Sequence, residues 1–370
     1  MQFSEVLGQN TIKRNLIQGV KNGRISHAQL FCGNEGMGAL PLAVAYAQYL
    51  NCEHPGEEDS CGICNNCNKY KKLIHPDLHF TYPTIGAKEL STNFIEDWRK
   101  AFFENPYLNS LQWIQRIGAE NKQGNITADE THEIIRKLSL KMFEGPFKVL
   151  IIWLPEFLGK EGNVLLKLIE EPTDNTIILL VTEDRDKILS TIQSRTQIVQ
   201  LVALSEEEVY EGLVTKYQLP TEQAATISKI SDGNFNVAIA LMDEVENNFH
   251  EIFRDWMLAI VKNQMGSVMG KIEEMNTLGR VQLKNLLSYG LYVMRACVLY
   301  NNGVYERLIA NTSDKDFISK FSRFINRNNM YNFAREFNDA IFHIERNANP
   351  KITLLNLSLQ VEKLFRISDV

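Results

Sequence analysis

Gly33-Asn34-Glu35-Gly36-Met37-Gly38-Ala39-Leu40 lies between an apolar run, Ala28 to Cys32, and a helical run, Leu42 to Leu50. Strand, glycine loop, helix is the setting of a phosphate-binding P-loop, whose working form reads G-x-x-x-x-G-K-[ST]. Gly33 and Gly38 fall in place, with Gly36 between them, but Ala39 stands where the lysine belongs and Leu40 where the hydroxyl belongs. That lysine meets the β- and γ-phosphates and that hydroxyl holds Mg²⁺. Without both, only backbone N–H groups and the helix N-terminus favour an anion. Glu35 adds a negative charge that works against phosphate. The stretch reads as a nucleotide loop that keeps its shape and lacks its chemistry, so no productive ATP binding is expected of it. A plain glycine-rich connection between strand and helix fits these residues equally well, and the rest of the chain has to decide.

On the N-terminal side, Ser4 to Gly23 reads as an amphipathic helical region, with Ile12, Leu16, Ile17 and Val20 at helical spacing and Gly23 as a natural C′ residue. On the C-terminal side a second apolar strand runs from Lys148 to Trp153. In an active nucleotidase such a strand ends in an Asp for Mg²⁺, usually followed by a Glu that activates water. Trp153 and Leu154 occupy those places, and Glu156, beyond Pro155, comes too late to be in register. Two separate phosphate and metal sites are thus missing from one chain, which tells more than either loss alone. A helix at Asn163 to Pro172 leads to another buried strand at Thr176 to Thr182, and a short helix or turn at Ile188 to Arg195 leads to a last strand at Ile198 to Val202. Alternating strands and helices imply an α/β fold with a parallel sheet.

Cys52-x8-Cys61-x2-Cys64-x2-Cys67 follows the loop helix. Four thiolates at this spacing suit a closed tetrahedral Zn²⁺ site built on two tight C-x2-C hairpins, which staples rather than catalyses. A C-x2-C-x2-C run also suits an iron–sulfur cluster, but nothing nearby suggests redox chemistry. His54 and His75 read as non-ligands, and Cys32 and Cys297 as ordinary buried thiols. His75-Pro76-Asp77 leads into a strand at Leu78 to Tyr82. Residues 84–125 are polar, irregular and aromatic-rich, with Trp98, Phe102, Phe103, Tyr107 and Trp113. They read as helices on the surface of the first domain. Their rings fit the packing of an inserted helical pair better than stacking on bases. Thr127-Ala128-Asp129-Glu130 reads as a capping box for a helix to Ser139.

After Ser205 the strands stop. Ser205 and the acidic turn Glu206-Glu207-Glu208 open the first of three short helices, and from Asn247 onward the pattern is wholly helical. The expected organisation is a P-loop-like α/β domain over 1–203, with a zinc module at 52–67 and an insertion at about 84–125. A small helical lid over 204–245 and an all-helical collar or oligomerisation domain over 246–370 follow.

A chain of 370 residues with 44% hydrophobic residues has real cores. A formal net charge of −6 argues against a globally basic nucleic-acid binder. No apolar run approaches the ~20 residues that span a bilayer, so no membrane partner is expected. Met1-Gln2-Phe3-Ser4 does not read as a signal peptide, and a cytoplasmic location is expected. Six cysteines, four of them clustered, then favour metal over disulfides.

Taken in chain order, Val6-Leu7-Gly8-Gln9, His27-Ala28-Gln29-Leu30-Phe31, the glycine loop, the four cysteines, His75-Pro76-Asp77, Leu165-Leu166-Lys167, Glu170-Glu171-Pro172, Ser194-Arg195 and Ser231-Asp232-Gly233 resemble the clamp-loader branch of the AAA+ family. The resemblance is to its delta-prime type in bacterial DNA polymerase III, and it covers most of residues 1–245. It implies a subunit of an arc that opens a ring-shaped sliding clamp and places it on primed DNA, with gamma/tau and delta subunits as partners. It implies no ATP hydrolysis by this chain itself. It also implies that Arg195, with Ser194 in a motif usually written Ser-Arg-Cys and here ending in Thr196, serves as an arginine finger in trans to a neighbour's γ-phosphate. Asn236 stands where ATP-binding relatives carry a phosphate-contacting arginine. On residue type alone, Arg195 reads as a surface salt bridge. Two other readings compete: an ATP-hydrolysing gamma/tau-type subunit, which needs a lysine at Ala39, and a zinc-stapled DNA-binding regulator, which the acidic balance opposes.

Overall fold

The computed structural model describes residues 1–86, 88–118, 124–243, 249–303 and 312–367. The chain divides into two compact units: Met1–Glu208 with Gly233–Asn236, and Val209–Asp232 with Val237–Val370.

The first unit is built on five parallel strands: β1 Ala28–Cys32, β2 Leu78–Thr81, β3 Lys148–Trp153, β4 Thr176–Thr182 and β5 Gln197–Gln200, in the spatial order β2-β3-β4-β1-β5. The α/β parallel sheet expected from the sequence is therefore the observed one. β1, β3 and β4 are buried along their whole length, as strands covered on both faces must be. The outermost strand β5 alternates toward solvent.

Helix α1 spans Asn10–Lys21 and α2 spans Ala39–Leu50, every residue of which is buried. The helix expected from Ser4 is interrupted. A 3₁₀ turn at Phe3–Glu5 is followed by Gly8 and Gln9 at φ +57° and +58°, which break the helical path before Asn10. Helix α3, Asn65–Lys71, follows the cysteines. The insertion forms a 3₁₀ turn at Ser91–Phe94 and helices α4, Ile95–Glu104, and α5, Ser110–Arg116, and a Thr84–Asn125 antiparallel bridge closes it.

The insertion keeps an exposed outer face, with Lys100, Phe103 and Glu104 open to solvent, and packs its other rings inward as the sequence implies. Trp98 and Trp113 are fully buried, and Trp98 lies 4.3 Å from Tyr82, 5.3 Å from Trp113 and 5.0 Å from Trp153, ring centre to ring centre. Trp153, at the place of a magnesium-binding acid, thus belongs to an aromatic core that the insertion completes. Helix α6, Ala128–Ser139, starts with only half of the expected capping box. Thr127 accepts from the Glu130 N–H, but the Glu130 carboxylate is turned to Thr81 Oγ1 and the Ser91 N–H. The helix expected over Asn163 to Pro172 is α-helical only at Leu166–Glu170, after an irregular 3₁₀ stretch from Pro155.

The second unit is helical throughout its described residues. Its core joins the helices Phe249–Val261, Met265–Asn276, Gly279–Asn301, Met330–Glu345 and Pro350–Phe365 around Phe253, Trp256 and Phe337. Trp256 Nε1 donates to Ser358 Oγ at 3.0 Å, which satisfies the one polar atom of that ring. The boundary expected at residues 245 and 246 lies outside the described residues.

Candidate functional site: a plugged glycine loop and a four-cysteine cluster

The glycine loop connects β1 to α2, as the sequence implies. Gly36 and Gly38 have φ of +77° and +88°, a region that residues with a Cβ enter at a cost. Here the space is also closed. A Cβ on Gly36 would lie 1.9 Å from Asn234 Oδ1, and one on Gly38 would lie 3.0 Å from the Tyr107 ring. The loop is packed by three segments of its own unit. Glu35 Oε1 accepts from Asn109 Nδ2 and from Asn236 Nδ2, both at 2.9 Å. Asn236 Oδ1 in turn accepts from Asn105 Nδ2 at 2.7 Å. The Phe235 N–H donates to the Gly36 carbonyl at 3.1 Å, and the Phe235 ring meets Tyr107 edge-on at 4.9 Å. The Tyr107 hydroxyl accepts from the Leu7 N–H at 2.9 Å, and Gln9 Nε2 donates to the Met37 carbonyl at 3.2 Å.

Asn109 and Asn236 are each 3% exposed. Buried amides of this kind need partners, and the loop's own carboxylate supplies one to both. Asn105, Tyr107 and Asn109 come from the insertion, whose contact with the loop the sequence did not reveal. Ala39 and Leu40 are buried among the apolar residues of the core and present no polar group.

At the ends of the strands, Leu154 turns the chain with φ +58° and carries Glu156 back toward β4. Glu156 Oε1 accepts from the Glu183 N–H at 3.4 Å, while its Oε2 is buried with no hydrogen-bond partner among the described residues. Burial raises its carboxyl to about 7, against the opposing backbone N–H groups of Glu156 itself and Glu183.

Ser194 and Arg195 follow the short helix Ser190–Gln193. Arg195 Nε pairs with Glu170 Oε1, and its Nη1 donates to the Thr191 carbonyl at 3.0 Å and to Ser194 Oγ at 3.3 Å. Both side chains of the ion pair are exposed, 38% and 45%. Within this chain Arg195 therefore makes the surface salt bridge that residue type alone suggested.

The sulfurs of Cys52, Cys61, Cys64 and Cys67 all lie within 4.8 Å of one another, and Cys61 and Cys67 Sγ are 3.9 Å apart. Tetrahedral coordination with metal–sulfur bonds of about 2.3 Å places sulfurs roughly 3.8 Å apart, so the donor set fits one ion with no ligand position left over. The N–H groups of Cys61, Cys64 and Cys67 point at the sulfurs of Cys52, Cys61 and Cys64 at 3.2, 3.3 and 3.4 Å, a shell that favours thiolates. The second C-x2-C is not a hairpin: Cys64 caps α3, and Cys67 is already in its first turn. His75 is not part of the cluster. Its Nδ1 accepts from the Asp77 N–H at 3.2 Å and its ring packs on Tyr70. Asp77 accepts from the N–H groups of Phe143, Glu144 and Gly145. Burial opposes its charge, but those three donors prevail and hold the carboxyl below its ordinary value.

Residues 8–205 match the family described as DNA polymerase III, delta subunit. The chain is 29% identical over 248 residues to DNA polymerase III subunit tau/gamma of Haemophilus influenzae, covering 65% of this chain and 30% of that protein. It is 28% identical over 207 residues to DNA polymerase III subunit delta' of Bacillus subtilis, covering 56% of this chain and 51% of the relative. The chain thus spans less than two thirds of the length of either relative. A solved structure of the Thermotoga maritima RuvB Holliday junction branch migration motor aligns with a TM-score of 0.41 at 18% identity, over 80% of this chain and 77% of that one, too distant to bear on function. With more than half of its length matched, the chain belongs to the DNA polymerase III delta-subunit family and is a clamp-loader family member.

Proposed function

We propose that this chain is a non-hydrolysing, delta-prime-type subunit of the DNA polymerase III clamp loader. It supports loading of the sliding clamp onto primed DNA as a rigid cytoplasmic partner of gamma/tau and delta subunits. The observation that carries this reading is the plug: Glu35, held by Asn109 and Asn236, gives the loop an internal anion in place of the lysine and hydroxyl a triphosphate requires. Arg195 then acts on a neighbour's nucleotide. Its exposed pair with Glu170 is worth at most about 1 kcal/mol, so exchange for a γ-phosphate costs little. The cysteine cluster holds one structural zinc. The division into a P-loop-like domain over 1–203, a lid over 204–245 and a collar over 246–370 belongs to the same proposal. Reconstitution with an ATPase subunit tests it: the mixture should turn over ATP in a DNA-stimulated manner while this chain alone does not.

The identity to a tau/gamma relative favours a second reading, an ATP-hydrolysing subunit. Ala39 and Leu40 oppose it, and nucleotide binding by the isolated chain separates the two.

A further inference from the structure

A cavity of about 260 Å³ opens in the first unit along the outer edge of β2, between that strand, the 3₁₀ turn Ser91–Phe94 and α4. None of the glycine-loop residues, Arg195 or the four cysteines lines it. His79, Arg99 and Lys137 line it together with Phe80, Ile95 and Thr92, and no carboxylate is among its lining residues. Arg99 is oriented by its Nε, which donates to the Leu73 carbonyl at 3.1 Å, and among the described residues its two terminal nitrogens have no hydrogen-bond partner. Lys137 is only 14% exposed and is 3.8 Å from Glu133, whose carboxylate is already held by Arg136. Two cations thus line one small cleft that has no carboxylate in its own lining, with Glu133 shared between Lys137 and Arg136 and Glu130 turned to the Ser91 N–H behind it. In a low-dielectric recess this focuses a positive potential, and a planar guanidinium beside an ammonium suits a phosphate.

We infer that this cleft is a binding site for a small phosphorylated molecule, with Arg99 and Lys137 holding the phosphate and Phe80 and Ile95 supporting a ring-sized body. The volume falls just short of the 300 Å³ at which drug-sized pockets begin, which suits a ligand of one phosphate and one ring. His79 reports on the cleft. Burial first, then Lys137 and Lys148, lower its ring to about 4, while Asp77 acts in the opposite sense, and a bound anion would move it back up.

The test is titration of the full chain with inorganic phosphate, glucose 6-phosphate and, as the uncharged control, glucose, followed calorimetrically and by the His79 ring resonances. Saturable binding of glucose 6-phosphate is expected, with displacement of the His79 signals. Arg99→Gln and Lys137→Gln should each weaken it about tenfold or more, the scale of a hydrogen bond to a charged group. Lys320→Gln, an exposed cation of the second unit, should leave it unchanged. Non-saturating uptake, equal response to glucose, or full affinity in either cleft variant would overturn the assignment. So would a single-stranded oligonucleotide that needs Arg99 and Lys137 while the sugar phosphate does not bind, which would assign the cations to nucleic acid.

Discussion

Glu35 accepts a hydrogen bond from the Asn236 side chain at 2.9 Å, across 201 residues of chain. The same oxygen accepts from Asn109, so one carboxylate satisfies two buried amides that face the glycine loop. An anion is present at this loop, but it is covalently part of it. Glu35→Ala should remove the Glu35 acceptor from both Nδ2 donors and cost roughly 2–4 kcal/mol in urea unfolding. Glu35→Gln, which keeps an oxygen acceptor, should cost less. Wild-type stability for the alanine variant would mean that the plug contributes nothing.

The aromatic insertion offers a second comparison. Trp98 is fully buried against Tyr82, Trp113 and Trp153, whereas Phe103, five residues along, is 53% exposed. Trp98→Ala should therefore destabilise the chain by about 3–5 kcal/mol, and Phe103→Ala by no more than about 0.5 kcal/mol. Similar losses from both would contradict the packing described here.

Glu156 predicts a pH effect of definite sign. Its carboxyl is raised to about 7 in the folded chain from an ordinary 4.5. Between those values the folded state holds a proton that the unfolded state has released, so stability falls as pH rises from about 4.5 to 7. The upper limit of the loss is on the order of 3 kcal/mol. Glu156→Gln should remove this component, making the variant more stable than wild type at pH 8 and nearly equal to it at pH 4.5. The difference between the two proteins isolates the group, because His79 and the other titrating side chains are common to both. A pH-independent difference between the two melting temperatures would refute it.

For the cysteine cluster, metal analysis of the purified chain should find about one zinc per molecule, and chelation should lower its melting temperature. Cys67→Ser should do the same. Iron with visible absorbance would replace zinc in the account.

Much of this architecture was legible in the sequence because its cause is local. Short, β-branched apolar runs such as Val149 to Trp153 and Ile177 to Val181 suit interior parallel strands. The cysteine spacing needs only four ligands and a turn. What was not legible depends on contacts distant in the chain. Asn105, Tyr107 and Asn109 look like ordinary loop residues until the fold sets them against Glu35 and Phe235. The burial of Glu156 depends on the left-handed turn at Leu154, which counting along an extended strand cannot foresee. The half-made capping box at Thr127 has the same origin, since tertiary partners at Thr81 and Ser91 claimed the Glu130 carboxylate.

Nucleotide binding by the isolated full chain tests the loss of triphosphate chemistry most directly. Calorimetric titration with ATP and Mg²⁺ should give no saturable heat up to millimolar concentration, and no turnover. Saturable, magnesium-dependent binding in the micromolar range, with hydrolysis to match, would contradict it.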